Sequence, residues 1–135
     1  MTAWLAVVSA GHVRRAQHLG IAQVNHGSRA GLARMRAGDV LVYYSPVEQR
    51  GDREPLRAFT AYGVVADEEI WQADEGDFKP FRRRVTYAPT RAVPLALLHA
   101  DLRLISSPHW GYQLRRGLLP LDGADAELIR ASIEP

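Results

Sequence analysis

Apolar positions along the chain change their period several times, and each change marks a predicted element. Thr2 to Ser9 is apolar almost throughout and reads as a first strand, which Ala10-Gly11 ends. Val13, Ala16 and Leu19 then recur at helical spacing, with Arg14, Arg15 and His18 on other faces and Gly20 where a helix stops. After Ser28, a natural N-cap, Arg29 to Arg36 repeats the helical pattern with Leu32 and Met35 inward. The stretch Gly38 to Pro46 is a β-branched and aromatic run bounded by turn residues, the pattern of a strand covered on both faces. Alternation puts Val40, Val42 and Tyr44 on one face and Leu41, Tyr43 and Ser45 on the other. One tyrosine is expected in the core and the other on the wall of a cavity.

Downstream, 48–54 is a polar loop and 56–65 a long strand with Gly63 marking a bulge or close approach. Asp67-Glu68-Glu69 and Asp74 to Asp77 read as a solvated acidic loop around Ile70-Trp71-Gln72, because their spacing lacks the alternating ligands of a calcium loop. In the strand 78–87, Phe81, Arg83, Val85 and Tyr87 share a face, so Arg83 needs a partner, an edge position or an anionic ligand. A short helix is predicted over 93–98, an extended segment over 101–105, an aromatic and basic loop over 107–117, a strand over 118–121 and a helix over 122–133. No internal repeat interrupts this order.

Composition narrows the picture. A chain of 135 residues is expected to form one domain, 1–135, and its 47% hydrophobic and 24% charged shares suit a soluble globule with no membrane-spanning run, which we expect in the cytoplasm. Without cysteine it has no disulfide and no thiolate site. A net charge of +2 rests almost wholly on arginine, Lys79 being the one lysine, with clusters at Arg14-Arg15, Arg82-Arg83-Arg84 and Arg115-Arg116. Guanidinium groups suit phosphate and stacked bases.

Familiar catalytic signatures are missing: there is no nucleophile elbow around Ser28, no glycine-rich phosphate loop, and no histidine pair spaced for zinc among His12, His18, His26, His99 and His109. No metal and no cofactor is expected. Aromatics, amides and arginines instead recur in several loops, most densely at Gly20 to Gly27, where Gln23, Asn25 and His26 alternate with Ile21 and Val24. Rings stack on bases, amides read base edges and arginines hold phosphates, which together describe recognition of an unpaired nucleotide.

Seven motifs in order carry a resemblance to a known family: Trp4 with the strand ending at Ser9; His12-Val13; Gly20-Ile21-Ala22-Gln23 with Asn25-His26-Gly27; Gly38-Asp39 leading into Tyr43-Tyr44-Ser45-Pro46; Phe59-Thr60-Ala61 with Gly63; Phe81-Arg82-Arg83; and Trp110-Gly111 with Arg115-Arg116-Gly117. Together they resemble a stand-alone bacterial EVE domain. The resemblance implies an α+β fold, a PUA-like mixed β pseudo-barrel with surrounding helices, related to YTH and ASCH domains. It implies a non-catalytic reader of a modified base, such as a methylated cytosine or adenine in DNA or RNA, flipped into an aromatic and amide-lined pocket. By position, that pocket draws on Ser9, His12, Val13, Gln23, Asn25, His26, Tyr43, Tyr44 and Ser45, with Trp110 at its mouth and Arg82, Arg83 and Arg115 on the nucleic-acid backbone. The alternatives are a small-molecule or nucleotide pocket, as a binding protein or as an enzyme with His12 or His26 as general base, and a protein-docking module at the Trp110 loop.

Overall fold

The computed structural model describes residues 1–135. Its frame is one mixed sheet in which β1 (Ala3–Val7) runs parallel to β3 (Val40–Ser45), and every other pairing is antiparallel. The strand order is β2 (Ile21–Ala22), β5 (Phe81–Tyr87), β4 (Ala58–Gln72), β3, β1, β7 (Leu118–Leu121), with β6 (Val93–Pro94) added beside the start of β4. The connection from β1 to β3 carries α1 (Ala10–Leu19), β2 and α2 (Arg29–Arg34), because parallel neighbours need a long crossover.

All six residues of β3 are buried, and its alternation divides two cores. Val40, Val42 and Tyr44 join Leu5, Phe59, Leu102 and Ile129 on the side covered by the C-terminal helix α5 (Gly123–Ile133). Leu41 and Tyr43 join Trp4, Val13, Leu32, Met35 and Val85 on the side covered by α1 and α2. The sequence pattern foresaw the alternation. It did not foresee that both faces are core, so that neither tyrosine meets a cavity: Tyr44 packs edge-on against Phe59, and Tyr43 lies 6.2 Å from the ring of Tyr87 with their hydroxyls 3.2 Å apart.

The acidic stretch differs from its expectation. Strand β4 continues through it to Gln72, and Asp67 to Glu69 form a bulge where the register with β5 shifts between Val65 and Ile70. Arg83 explains the bulge. Its side chain, 1% exposed, donates from Nη1 to the carbonyls of Leu32 and Met35, at 2.8 and 2.6 Å, and from Nε and Nη2 to the carbonyl of Asp67, at 3.1 and 2.8 Å. Nη2 also meets the Glu68 carboxylate at 2.9 Å. One buried guanidinium thus ends α2 and closes the bulge.

The predicted helix over 93–98 is a short edge pairing at Val93–Pro94 followed by a 3₁₀ turn at Leu95–Leu97, since β4 offers an open edge that a proline can join. The segment predicted as extended contains the short helix α3 (Arg103–Ser106), because the buried Asp125 carboxylate accepts the amides of Arg103 and Leu104, both at 2.8 Å. Residues 107–117 also coil, into α4 (Trp110–Gln113) and a 3₁₀ turn at Leu114–Arg116. No helix is long and apolar enough to cross a membrane.

Candidate functional site

Where parallel β1 and β3 end, their chains diverge, and a cleft of about 590 Å³ opens between the loops that leave them. That volume lies within the range of roughly 300–1,000 Å³ common for small-ligand sites. Val7, Val8 and Ser9 form one wall, Pro46, Val47, Arg50 and Gly51 another, and Leu114 to Gly117 a third. The walls are tied together by backbone: Val7 N–H donates to the Gly117 carbonyl at 2.8 Å, Val8 N–H to Tyr44 at 3.1 Å, and Ala10 N–H to Val47 at 3.0 Å.

The floor comes from α1 and from the turn after β2. His12, on the first turn of α1, faces Gln23. Burial, with help from the nearby Arg15 and Arg82 guanidiniums, holds the His12 imidazole below its ordinary value of 6.5, against an opposing hydrogen bond with the Gln23 backbone. At neutral pH it is therefore neutral and can accept as well as donate. Ser9 precedes α1 where an N-cap belongs, yet its hydroxyl makes no capping bond and stays available to the cleft.

Asn25, His26 and Gly27 form a left-handed turn with φ of 49°, 57° and 85° in succession. Two non-glycine residues there are unusual, and such conformations persist where surrounding structure imposes them. Pro80 and Phe78 pack so closely on Gly27 that a Cβ would lie 2.7 Å from Pro80 Cβ. The Asn25 amide in turn lies against Gly117, whose own Cβ would fall 2.4 Å from Oδ1. The turn thus presents its amide and imidazole to the cleft as a preformed edge.

Six of the residues predicted for the site meet at this cleft: Ser9, His12, Gln23, Asn25, His26 and Arg115. Seven lie elsewhere. Val13, Tyr43 and Tyr44 are core, and Ser45 is buried with its hydroxyl 2.7 Å from that of Thr60. Arg83 is consumed by backbone carbonyls, so its predicted contact with a nucleic-acid backbone does not fit its burial. Trp110 packs against the core on the α5 side. Arg82 stands behind the floor, donating from Nε to Gln23 Oε1 at 3.0 Å and from Nη2 to Glu75 at 3.0 Å.

Sequence reasoning missed Phe78, Arg50 and Arg116 as lining residues. Phe78 is 43% exposed and supplies the one benzenoid ring on the cleft. In the sequence it is one of several aromatics, between Trp71 and Phe81, and only the fold of the acidic hairpin turns it to the cleft. Arg50, in the polar loop after β3, is likewise unmarked in the sequence. Arg50, Arg115 and Arg116 make no ion pair, and no carboxylate lines the cleft, whereas Arg14, Arg15, Arg82, Arg83 and Arg84 are all paired with acids.

A mixed sheet of seven strands, helices on both faces and a polar cleft at the ends of its parallel pair make this an α+β fold, one shared with PUA-like structures. The EVE domain family model matches residues 2–132, and the chain belongs to that family. Among its relatives, a UPF0310 protein of Renibacterium salmoninarum is 52% identical over 130 residues, covering 96% of this chain and 94% of the relative. A UPF0310 protein of Mycolicibacterium vanbaalenii is 41% identical, covering 98% and 93%. Solved structures of the same fold include a hypothetical protein from Leishmania major (TM-score 0.63, 13% identity, covering 98% and 94%) and human THYN1 in complex with DNA containing 5-methylcytosine (TM-score 0.57, 15% identity, covering 98% and 97%).

Proposed function

We propose that this chain is a nucleic-acid-binding module that takes one modified base, flipped out of its strand, into the cleft without chemical turnover. The observation that carries the reading is the lining: a neutral imidazole, two amides and a hydroxyl facing inward, with three unpaired arginines and no carboxylate. Amides and imidazole can read the edge of a base, and the arginines can hold its flanking phosphates. Phe78, at the rim, takes the stacking role that β3 does not supply. The DNA complex of THYN1, which shares the fold, supports the same reading.

The test is fluorescence anisotropy with short single- and double-stranded DNA and RNA, plain or carrying a methylated or hydroxymethylated base, at two salt concentrations. Tighter binding of one modified strand is expected. With three phosphate contacts, the logarithmic salt slope on a single strand should be roughly −2. Equal binding of plain and modified strands would overturn the reader. Salt-independent binding of a free nucleotide or metabolite, with no gain from a longer strand, would favour a small-molecule pocket instead, a reading to which the neutral His12 would lend a general base.

A further inference from the structure

Tyr112 lies outside the cleft, two residues before the Leu114 to Gly117 wall, with 67% of its surface exposed, though the helix that carries it is anchored through Trp110 and, in the following turn, Leu114, both packed on the core. The Arg115 guanidinium lies 5.3 Å from the centre of the Tyr112 ring, while Arg115 itself lines the cleft. Cleft, guanidinium and ring therefore follow one another across the surface. A guanidinium stacked on a ring keeps its N–H donors free, and Arg115 has no carboxylate to spend them on. Arg116, beside it, reaches only the Gln113 amide at 3.4 Å.

We infer that Tyr112 and Arg115 form a second stacking platform, outside the cleft, for the base adjoining the one that the cleft holds. The inference rests on the reading of the cleft given above. An exposed ring offers a face to any base, and the cation between ring and cleft stands where the linking phosphate of a continuous strand must pass. The unpaired positive charge of Arg115 and Arg116 favours an anionic polymer over a protein surface as the occupant.

A length series with the full chain tests it. The modified mononucleotide, then dinucleotides and trinucleotides extended on either side, are titrated against the wild type, Tyr112→Ala and Tyr112→Phe, and 2-aminopurine in the adjoining position reports stacking by its quenching. Mononucleotide affinity is expected to be the same in all three proteins. The gain from the second nucleotide, on one side only, should be about tenfold in the wild type and in Tyr112→Phe and lost in Tyr112→Ala, with quenching lost in parallel. An undiminished gain and undiminished quenching in Tyr112→Ala overturn the platform. A wild type that binds the mononucleotide but gains nothing from a second nucleotide overturns the platform and leaves the cleft; a wild type that binds neither overturns both.

Discussion

Arg82 and Gln23 are joined by a hydrogen bond of 3.0 Å from guanidinium Nε to amide Oε1, and this bond sets what the cleft floor offers a ligand. A guanidinium only donates, so the amide oxygen must face Arg82, and the Gln23 NH₂ group is left without a protein partner. Glu75 holds Arg82 in place, and Arg15 braces Glu75 in turn. Arg82→Ala should therefore free the amide to flip and blur discrimination between modified and plain base, while the salt slope stays near that of the wild type. Arg115→Ala should do the reverse, lowering the slope by about 0.7 on a single strand with discrimination retained. Paired salt titrations of the two variants separate these roles, and a loss of slope in Arg82→Ala would return that residue to the phosphate contacts.

Arg83 is a structural cation. Replacing it by alanine leaves the carbonyls of Leu32, Met35 and Asp67 short of donors and opens a hole between α2 and β5, at a cost of roughly 3 kcal/mol or more. Lysine restores the charge but not the planar fork that reaches three carbonyls, so Arg83→Lys should recover less than half of the loss. Urea unfolding monitored through the tryptophans gives both values. Full recovery by lysine would mean that charge alone matters at this position.

Asp39, buried beneath β1, contributes to the acid limb of stability. Burial pushes its carboxyl up, but the hydrogen bonds from Thr2 N–H, the Trp4 indole and Arg36 N–H outweigh burial and hold it below its ordinary value of 3.8. A depressed folded pKa adds stability that is present above the unfolded value and disappears as the pH falls through the folded one. Stability of the wild type should thus drop below about pH 4. Asp39→Asn should be about 2 kcal/mol less stable at pH 7 and should lose less on acidification, which urea midpoints from pH 7 to pH 2.5 would reveal.

Gly27 and Gly38 both have positive φ, at 85° and 89°, but only Gly27 is crowded: its added Cβ would also lie 2.9 Å from the backbone Cα of Pro80, whereas Gly38 has nothing within 4 Å. Gly38→Ala should cost about 1 kcal/mol, the strain of a left-handed alanine. Gly27→Ala should cost at least about 2 kcal/mol more, because Pro80 must move, and should also weaken ligand binding by shifting Asn25 and His26. Equal midpoints for the two variants would show that the turn yields freely.

The alternation of Val40 to Ser45, the helical spacing of Val13, Ala16 and Leu19, and the polar run at Gly20 to Gly27 are local patterns, and they foretold β3, α1 and the polar turn that lines the cleft. Six cleft residues were legible for the same reason: they lie in short segments where a strand stops and polar groups begin. Period two states that Tyr43 and Tyr44 face opposite ways; it does not state what covers each face, and α1 with α2 on one side and α5 on the other turned both into core. Three adjacent arginines look alike in sequence, yet one braces a glutamine, one is sealed among carbonyls and one pairs with Asp67, because three separate segments, the turn after β2, the end of α2 and the bulge in β4, come to lie against β5. Phe78 and Arg50 reach the cleft from hairpin and loop tips remote in the chain. A side chain's direction follows from its neighbours in sequence, but its partner follows from which segments the sheet brings together, and that was settled only by the closed packing of the whole chain.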